Sequence, residues 1–177
     1  MIQLFTELQE KKNVRSNLSA LRASLKEATE EQKAQAIEFV RGHEDLVFGF
    51  LQEEDAKTRK NAALLLGDLA VQNALQPLWK AYTREQTLFV KSAYLEAMKA
   101  LHAEEILSQL KDRLAELEGE PVTEENRKHR EAELRALRAI LIQYEGIDTH
   151  HFDIKQKNNH VLLVTNRNHR GILENQT

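Results

Sequence analysis

The sequence has 177 residues, of which 41% are hydrophobic and 30% charged, a composition of folded globular proteins and not of disordered or membrane-spanning chains. The formal net charge of -3 gives no overall attraction to nucleic acid or anionic lipid, so a nucleic-acid site would have to be local. The absence of cysteine excludes disulfides, thiolate metal sites and cysteine nucleophiles and agrees with a cytoplasmic setting. No long apolar segment follows Met1, so we expect neither secretion nor a membrane partner.

Apolar residues recur at steps of three and four along most of the chain, a spacing typical of helices. Thr29 and Gln32 have the spacing of a capping box and predict the start of a helix, which Gly42 and His43 end. Apolar stripes predict further helices before and after it. These stripes are Val14, Leu18, Leu21 and Leu25, and Leu46, Val47, Phe50 and Leu51.

Two further helical hairpins follow and are related by an internal repeat. Asp55 is placed to cap the first helix of one hairpin, which we expect to include Ala70, and Pro77 fits the first turn of its second helix. A shift of 31 residues superposes this hairpin on the next. The matched pairs are Lys60 with Lys91, Ala62 with Ala93, Leu66 with Ala97 and Ala70 with Leu101. Such a period is typical of helical pairs that bury their apolar faces by stacking on neighbouring pairs.

The segment from Asp55 to Leu69 resembles the first helix of a HEAT repeat, and the segment from Ala74 to Leu78 resembles the opening of its second helix. A second copy in the next hairpin is similar, with Met98 in the position of Gly67. The resemblance covers residues 29–117 well. It implies a solenoid of stacked helical hairpins.

The fold expected from this resemblance is all-α, an α-α superhelix over residues 1–146 that also takes in a helix at 124–144. In such a solenoid the second helices line the concave surface, where a partner binds. The polar residues expected there are Gln76, Lys80, Thr83, Arg84, Ser108 and Lys111. With Asp112 and Glu116 nearby, the face has mixed charges, which suits a protein partner better than a phosphate backbone. We therefore expect a non-catalytic interaction module without a catalytic residue, cofactor or metal.

The helix that follows the linker from Glu118 to Val122 carries a basic side. Its cations are candidates for contacts with RNA phosphates: Arg127, Lys128, Arg130, Arg135 and Arg138. Phosphate binding needs several cations that converge on one backbone path, whereas Glu131 and Glu133 interleave with these. A solvated helix face is therefore the favoured interpretation, and RNA is the second partner considered.

Residues 147–177 differ in composition from the rest and form a second segment. Val161 to Thr165 is typical of a β-strand, and Phe152 to Ile154 is a candidate hairpin partner. An unpaired strand can also pair with another chain, so a dimer through this segment is a second interpretation. A third interpretation is that the segment begins a further domain of a longer protein.

The stretch from Val161 to Leu173, placed after a helical-repeat domain, resembles the start of the RNA-binding or catalytic part of certain bacterial RNA methyltransferases that use S-adenosylmethionine. It contains no glycine-rich cofactor loop and no catalytic tetrad. The resemblance therefore implies an alternative function for this chain, that of an accessory domain that helps to bind the RNA substrate.

Histidines and aromatic residues suggest two other chemistries. Trp79 and Tyr82 are candidates to cradle a damaged base, as in HEAT-like DNA glycosylases, but they share an apolar stripe with Leu75 and Leu78, which favours a place in the core. A cluster of histidines lacks the defined frame of three ligands that metal sites need. It consists of His150, His151, His160 and His169.

Overall fold

The structure is a computed structural model that describes residues 1–145, and within this range every regular element is a helix. The all-α prediction is confirmed at that level, while the strand predicted at 161–165 lies outside the described residues. The α-helices of the described range are α1 Ile2–Gln9, α2 Val14–Leu25, α3 Glu30–Gly42, α4 Glu44–Gly49, α5 Ala56–Asp68, α6 Leu75–Arg84, α7 Leu88–Ala100, α8 Leu107–Gly119 and α9 Arg127–Glu145. Three 3₁₀ turns accompany them, Phe50–Gln52, Gln72–Ala74 and Ala103–Ile106.

The chain divides into two compact units, Met1–Ala103 and a second unit that begins at Glu104. The first unit contains α1 to α7, and the described part of the second contains α8 and α9. The domain boundary predicted between residues 146 and 147 lies outside the described residues and stays a prediction. No helix between residues 1 and 145 combines the length and the apolar character needed to cross a membrane.

Two helices begin where the sequence predicts, because their caps are local. The Thr29 hydroxyl accepts from the Gln32 amide at 3.2 Å, and the Gln32 side-chain oxygen accepts from the Thr29 amide at 3.0 Å, so the capping box is confirmed. The Asp55 carboxylate accepts from the amide and from the hydroxyl of Thr58, both at 2.8 Å. These hydrogen bonds hold the pKa of Asp55 below its ordinary value. The starts of α3 and α5 are thus set by residues within one helical turn.

The first helices of the two repeated hairpins, α5 and α7, pack against each other. Each is 13 residues long, and in α5 every residue from Ala62 to Gly67 is buried. A Cβ atom added at Gly67 would lie 2.9 Å from Ala97 Cα and 3.2 Å from Ala97 Cβ. The glycine therefore allows the two helices to approach more closely than any other residue would.

The end of α5 differs from the prediction. The helix was expected to include Ala70, but it ends at Asp68, and Ala70 adopts a left-handed conformation with φ of 50°. The Ala70 amide donates to the Gly67 carbonyl and the Val71 amide donates to the Leu66 carbonyl, each at 3.0 Å. This pair of bonds is a Schellman motif, which satisfies the last carbonyls of the helix. Alanine occupies the position that usually holds glycine, so the end of the helix could not be predicted from the residue type.

In the second unit α8 packs against α9. Helical spacing in the second half of α9 predicts an apolar stripe of Leu134, Leu137, Ile140, Leu141 and Tyr144; the first four are buried and Tyr144 is half-buried. The helix begins at Arg127, three residues later than predicted. Thr123 and Asn126 exchange hydrogen bonds just before it, from the Thr123 amide to Asn126 Oδ1 at 2.9 Å and from the Asn126 amide to Thr123 Oγ1 at 3.2 Å.

Candidate functional site

An open cleft of about 690 Å³ lies in the first unit between α6 and the end of α4 with its 3₁₀ extension, Phe50–Gln52. One stripe of α6 lines it, with the spacing i, i+3, i+4 and i+7 that places residues on one helix face. The stripe consists of Pro77, Lys80, Ala81 and Arg84. On the other side are Phe48, Leu51 and Gln52. Both walls belong to second helices of consecutive predicted hairpins.

Arg59 also lines the cleft, and each nitrogen of its guanidinium is engaged in hydrogen bonds. Its Nε donates to Glu85 Oε2 at 2.8 Å and its Nη2 donates to Glu85 Oε1 at 3.1 Å, a two-point pair between a guanidinium and a carboxylate. Its Nη1 donates to the backbone carbonyls of Glu53 and Glu54, both at 2.8 Å. One side chain thus ties the loop before α5 to the loop before α7. The side chains of Arg59 and Glu85 are only 17% and 5% exposed.

Glu85 has further donors besides Arg59. Its Oε1 accepts from the backbone amides of Gln86 at 3.1 Å and Thr87 at 3.0 Å. The hydroxyl of Tyr94, a fully buried residue, donates to the Leu51 carbonyl at 3.2 Å. The same hydroxyl lies 3.5 Å from Glu85 Oε2, so the loop between α6 and α7, the 3₁₀ turn Phe50–Gln52 and the middle of α7 are joined by one polar network beside the cleft.

The pKa values of Glu85 and Tyr94, the two titratable groups that meet here, are both shifted away from neutral pH. Burial raises the pKa of Glu85, but the hydrogen bonds from Arg59 and from the Thr87 amide outweigh burial, and the pKa is lowered overall. Burial and the neighbouring Glu85 carboxylate raise the pKa of Tyr94. Glu85 stays ionised and Tyr94 stays protonated at neutral pH, so neither is poised to exchange a proton there. The network holds the loop before α5 and the loop before α7 in place.

Two of the residues predicted to bind a partner line the cleft. Lys80 and Arg84 are both exposed and lie on its α6 wall. Gln76 and Thr83 are exposed on α6 outside the cleft lining, and the Thr83 hydroxyl donates to the Lys80 carbonyl at 2.8 Å. The spacing of Pro77, Lys80, Ala81 and Arg84 was present in the sequence and would have selected the cleft-facing stripe.

Ser108 and Lys111, the other two residues predicted to bind a partner, are exposed on α8 of the second unit. In that unit a second arginine–glutamate pair joins α8 to α9. Arg113 Nε and Nη2 each lie 3.1 Å from Glu133 Oε1, and Glu133 is 6% exposed. Arg113 also contacts Glu116 at 3.2 Å. Neither arginine–glutamate pair was foreseen from the sequence.

The five basic residues predicted to contact phosphate fall into two groups. Arg130 donates to the carbonyls of Leu117 at 2.8 Å and Glu118 at 3.2 Å, and Arg138 pairs with the Glu118 carboxylate at 3.1 Å. These two side chains therefore hold α9 against the end of α8. The sequence could not reveal this role, because it depends on where the end of α8 lies.

The other three cations, Arg127, Lys128 and Arg135, are exposed. Glu131, which is also exposed, lies four residues from Arg127 and four from Arg135 and therefore stands between them on one helix face. A carboxylate in the centre of a cationic face repels a phosphate backbone. The charge convergence that phosphate binding requires is weak on this helix.

The aromatic pair has one buried and one half-buried member. Tyr82 is 2% exposed, which confirms its prediction as a core residue, while Trp79 is half-buried with its ring centroid 5.4 Å from that of Tyr82. Among residues 1–145 no three histidine, aspartate or glutamate side chains are grouped as metal ligands. The predicted histidine cluster at 150–169 lies outside the described residues.

A second, smaller cleft of about 450 Å³ lies in the first unit among α2, α3 and the end of α5. Arg22, Lys26 and Lys33 surround its apolar lining. Arg22 Nε donates to Asp68 at 2.7 Å, and Lys33 pairs with Glu30 at 3.0 Å. Arg22 and Lys26 also lie in the last turn and at the C-cap of α2, where cations are favourable for the helix dipole alone.

No protein-family model matches the chain, and neither do the curated proteins or the solved structures compared with it. The resemblances to HEAT repeats and to RNA methyltransferases therefore stay expectations from the sequence.

Proposed function

We propose that this chain is a non-catalytic helical-repeat module that binds a protein partner in the cleft between α6 and the end of α4. The observation that carries the proposal is the lining of this cleft. Half-buried Phe48, Pro77 and Ala81 provide apolar contact, while Lys80 and Arg84 provide exposed charge. An apolar centre with a polar rim is the usual composition of a protein-binding surface.

A phosphate backbone fits this lining less well. The two exposed cations of the α6 wall, Lys80 and Arg84, share the cleft with the exposed carboxylates of Glu53 and Glu54. A nucleic acid needs cations in register and without acids beside them. A protein surface can match both signs at once.

The proposal includes a HEAT-like solenoid, and two observations support it. The repeated hairpins place α5 and α7 in close contact, with Gly67 against Ala97. The cleft lies between second helices, which line the concave side of such solenoids.

The test is site-specific photocrosslinking with the full chain in cell extract. A photoreactive side chain at Ala81, in the cleft, should capture a protein partner, and one at exposed Lys99 on α7, outside the cleft lining, should not. Lys80→Glu with Arg84→Glu should remove the capture. Capture from both positions alike, or capture unaffected by the double variant, would refute the proposal.

A matched control also tests the alternative, an accessory domain of an S-adenosylmethionine-dependent RNA methyltransferase. Lys128→Glu with Arg135→Glu changes the net charge by the same amount as the cleft variant and alters exposed residues of α9. If the chain binds RNA with a steep dependence on salt, and only the α9 variant loses this binding, the RNA function is the correct one. Protein capture lost only in the cleft variant favours the interaction module.

A further inference from the structure

The charges that line the α6 cleft are separated by sign. Its α6 wall carries Lys80 and Arg84, and the loop that leads from the 3₁₀ turn to α5 carries Glu53 and Glu54. All four residues are exposed, and none of their side chains forms an ion pair with another residue between 1 and 145. Two positive and two negative charges are therefore available to a ligand.

We infer that the ligand of this cleft is a short amphipathic helix with apolar residues along its centre, carboxylates along the edge that faces α6 and basic residues along the other edge. The inference rests on the proposed function and names the class of segment that the partner presents. Opposite charges across an interface fix the orientation of a ligand and exclude wrong partners.

Arg59 explains why the acidic side of the cleft is available. Its guanidinium binds the backbone carbonyls of Glu53 and Glu54, both at 2.8 Å, and its own charge is matched by Glu85. The loop is held through its backbone, and both glutamate side chains remain exposed. Arg59 thus leaves the loop carboxylates uncompensated.

A helix suits this cleft better than an extended peptide. Among residues 1–145 there is no strand whose edge an extended chain could join, whereas a helix satisfies its own backbone hydrogen bonds and presents anchors at i, i+3, i+4 and i+7. The facing stripe of α6 has the same spacing, from Pro77 to Arg84. Phe48 and Ala81 provide apolar surface, and a volume of about 690 Å³ lies in the range of sites that hold several side chains.

Two synthetic helical peptides of identical composition test the inference with the full chain. One carries leucine and alanine along its centre, glutamate along one edge and lysine along the other, and the second has the same charges interleaved. Fluorescence anisotropy should show that the segregated peptide binds about tenfold more tightly, and that the difference shrinks between about 0.1 M and about 0.5 M salt. Equal affinities for the two peptides would overturn the inference.

Charge reversal in the protein supplies the matched variants. Lys80→Glu with Arg84→Glu should weaken binding of the segregated peptide about tenfold or more. Adding Glu53→Lys with Glu54→Lys should recover most of the affinity, because the same peptide then binds in the opposite direction. Recovery also shows that the chain still folds with both α6 substitutions present. A double variant that binds as well as the original chain, or a quadruple variant that recovers nothing, contradicts the assignment.

Failure of the inference and failure of the proposed function are distinguishable. If neither peptide binds but a photoreactive group at Ala81 still captures a protein that the Lys80→Glu and Arg84→Glu variant loses, the helical ligand is wrong and the interaction module stands. If both peptide binding and capture are absent, both proposals fail.

Discussion

Replacing Gly67 by alanine tests the packing of the repeated hairpins. The new Cβ would meet Ala97 Cα at 2.9 Å and Ala97 Cβ at 3.2 Å, so backbone has to move and no flexible side chain can give way. Overpacking of this kind costs about 1–3 kcal/mol, and the change from glycine to alanine in a helix returns about 0.5–1 kcal/mol. We expect a net loss of about 1–2 kcal/mol in the free energy of unfolding.

Gly49→Ala is the matched control, because Gly49 also lies at the end of a helix and a Cβ there meets nothing within 4 Å. In a unit of about 100 residues, each kcal/mol moves the thermal midpoint by about 4–5 °C. Circular dichroism should therefore show a midpoint lowered by about 5–10 °C for Gly67→Ala and raised by a few degrees for Gly49→Ala. Adding Ala97→Gly should rescue only part of the loss, since the contact with its Cα remains. Equal midpoints for the two single variants would show that α5 and α7 do not approach this closely.

Two further changes test the end of α5 and the cleft network. Ala70→Gly should stabilise the chain by roughly 0.5 kcal/mol, because glycine has no steric cost at φ of 50°. A urea titration would detect this gain. The control Ala20→Gly, on the exposed side of α2, should be destabilising. Arg59→Met should cost about 2–3 kcal/mol, because it leaves Glu85 buried and ionised with only two backbone amides and the Tyr94 hydroxyl as donors. In the original chain the lowered pKa of Glu85 adds stability above the ordinary pKa of a glutamate, and this contribution is lost as the pH falls through the folded-state pKa. In the variant, burial without Arg59 raises that pKa. Acidification from neutral pH towards about pH 4 should therefore narrow the difference in unfolding free energy between the original chain and the variant. A difference that does not depend on pH would contradict the assigned role of Arg59.

The features that could be predicted from the sequence are those decided within one or two helical turns. Thr29 and Asp55 cap helices through residues three positions away, and these starts are confirmed. The stop at Asp68 depends on a left-handed Ala70, a conformation that the sequence does not announce when the residue is not glycine. Contacts within one helical turn thus predicted the starts of α3 and α5 but not the end of α5.

Part of the candidate site was visible in the same way. Lys80 and Arg84 were predicted as binding residues from their place on a second helix, and both line the cleft. The partner of Arg59 could not be predicted, because Glu85 lies 26 residues away and the pairing exists only once α5 and the loop after α6 are side by side. The roles of Arg130 and Arg138 could not be predicted for the same reason. Both were candidates for phosphate contacts, but in the structure they bind the end of α8.

The distinction between buried and exposed charge connects the fold to the proposed function. Buried Glu85 pairs with Arg59 and buried Glu133 pairs with Arg113, and each pair joins separate elements within its own unit. A charge used in this way is not available to a ligand, because breaking the pair would leave the carboxylate buried alone. Binding therefore falls to the charges that have no ion-pair partner among residues 1–145, and in the cleft these are Lys80 and Arg84 on α6 and Glu53 and Glu54 on the loop before α5. A ligand that satisfies them and also accommodates the acidic loop has to carry both signs, which a folded protein segment does and a phosphate backbone does not.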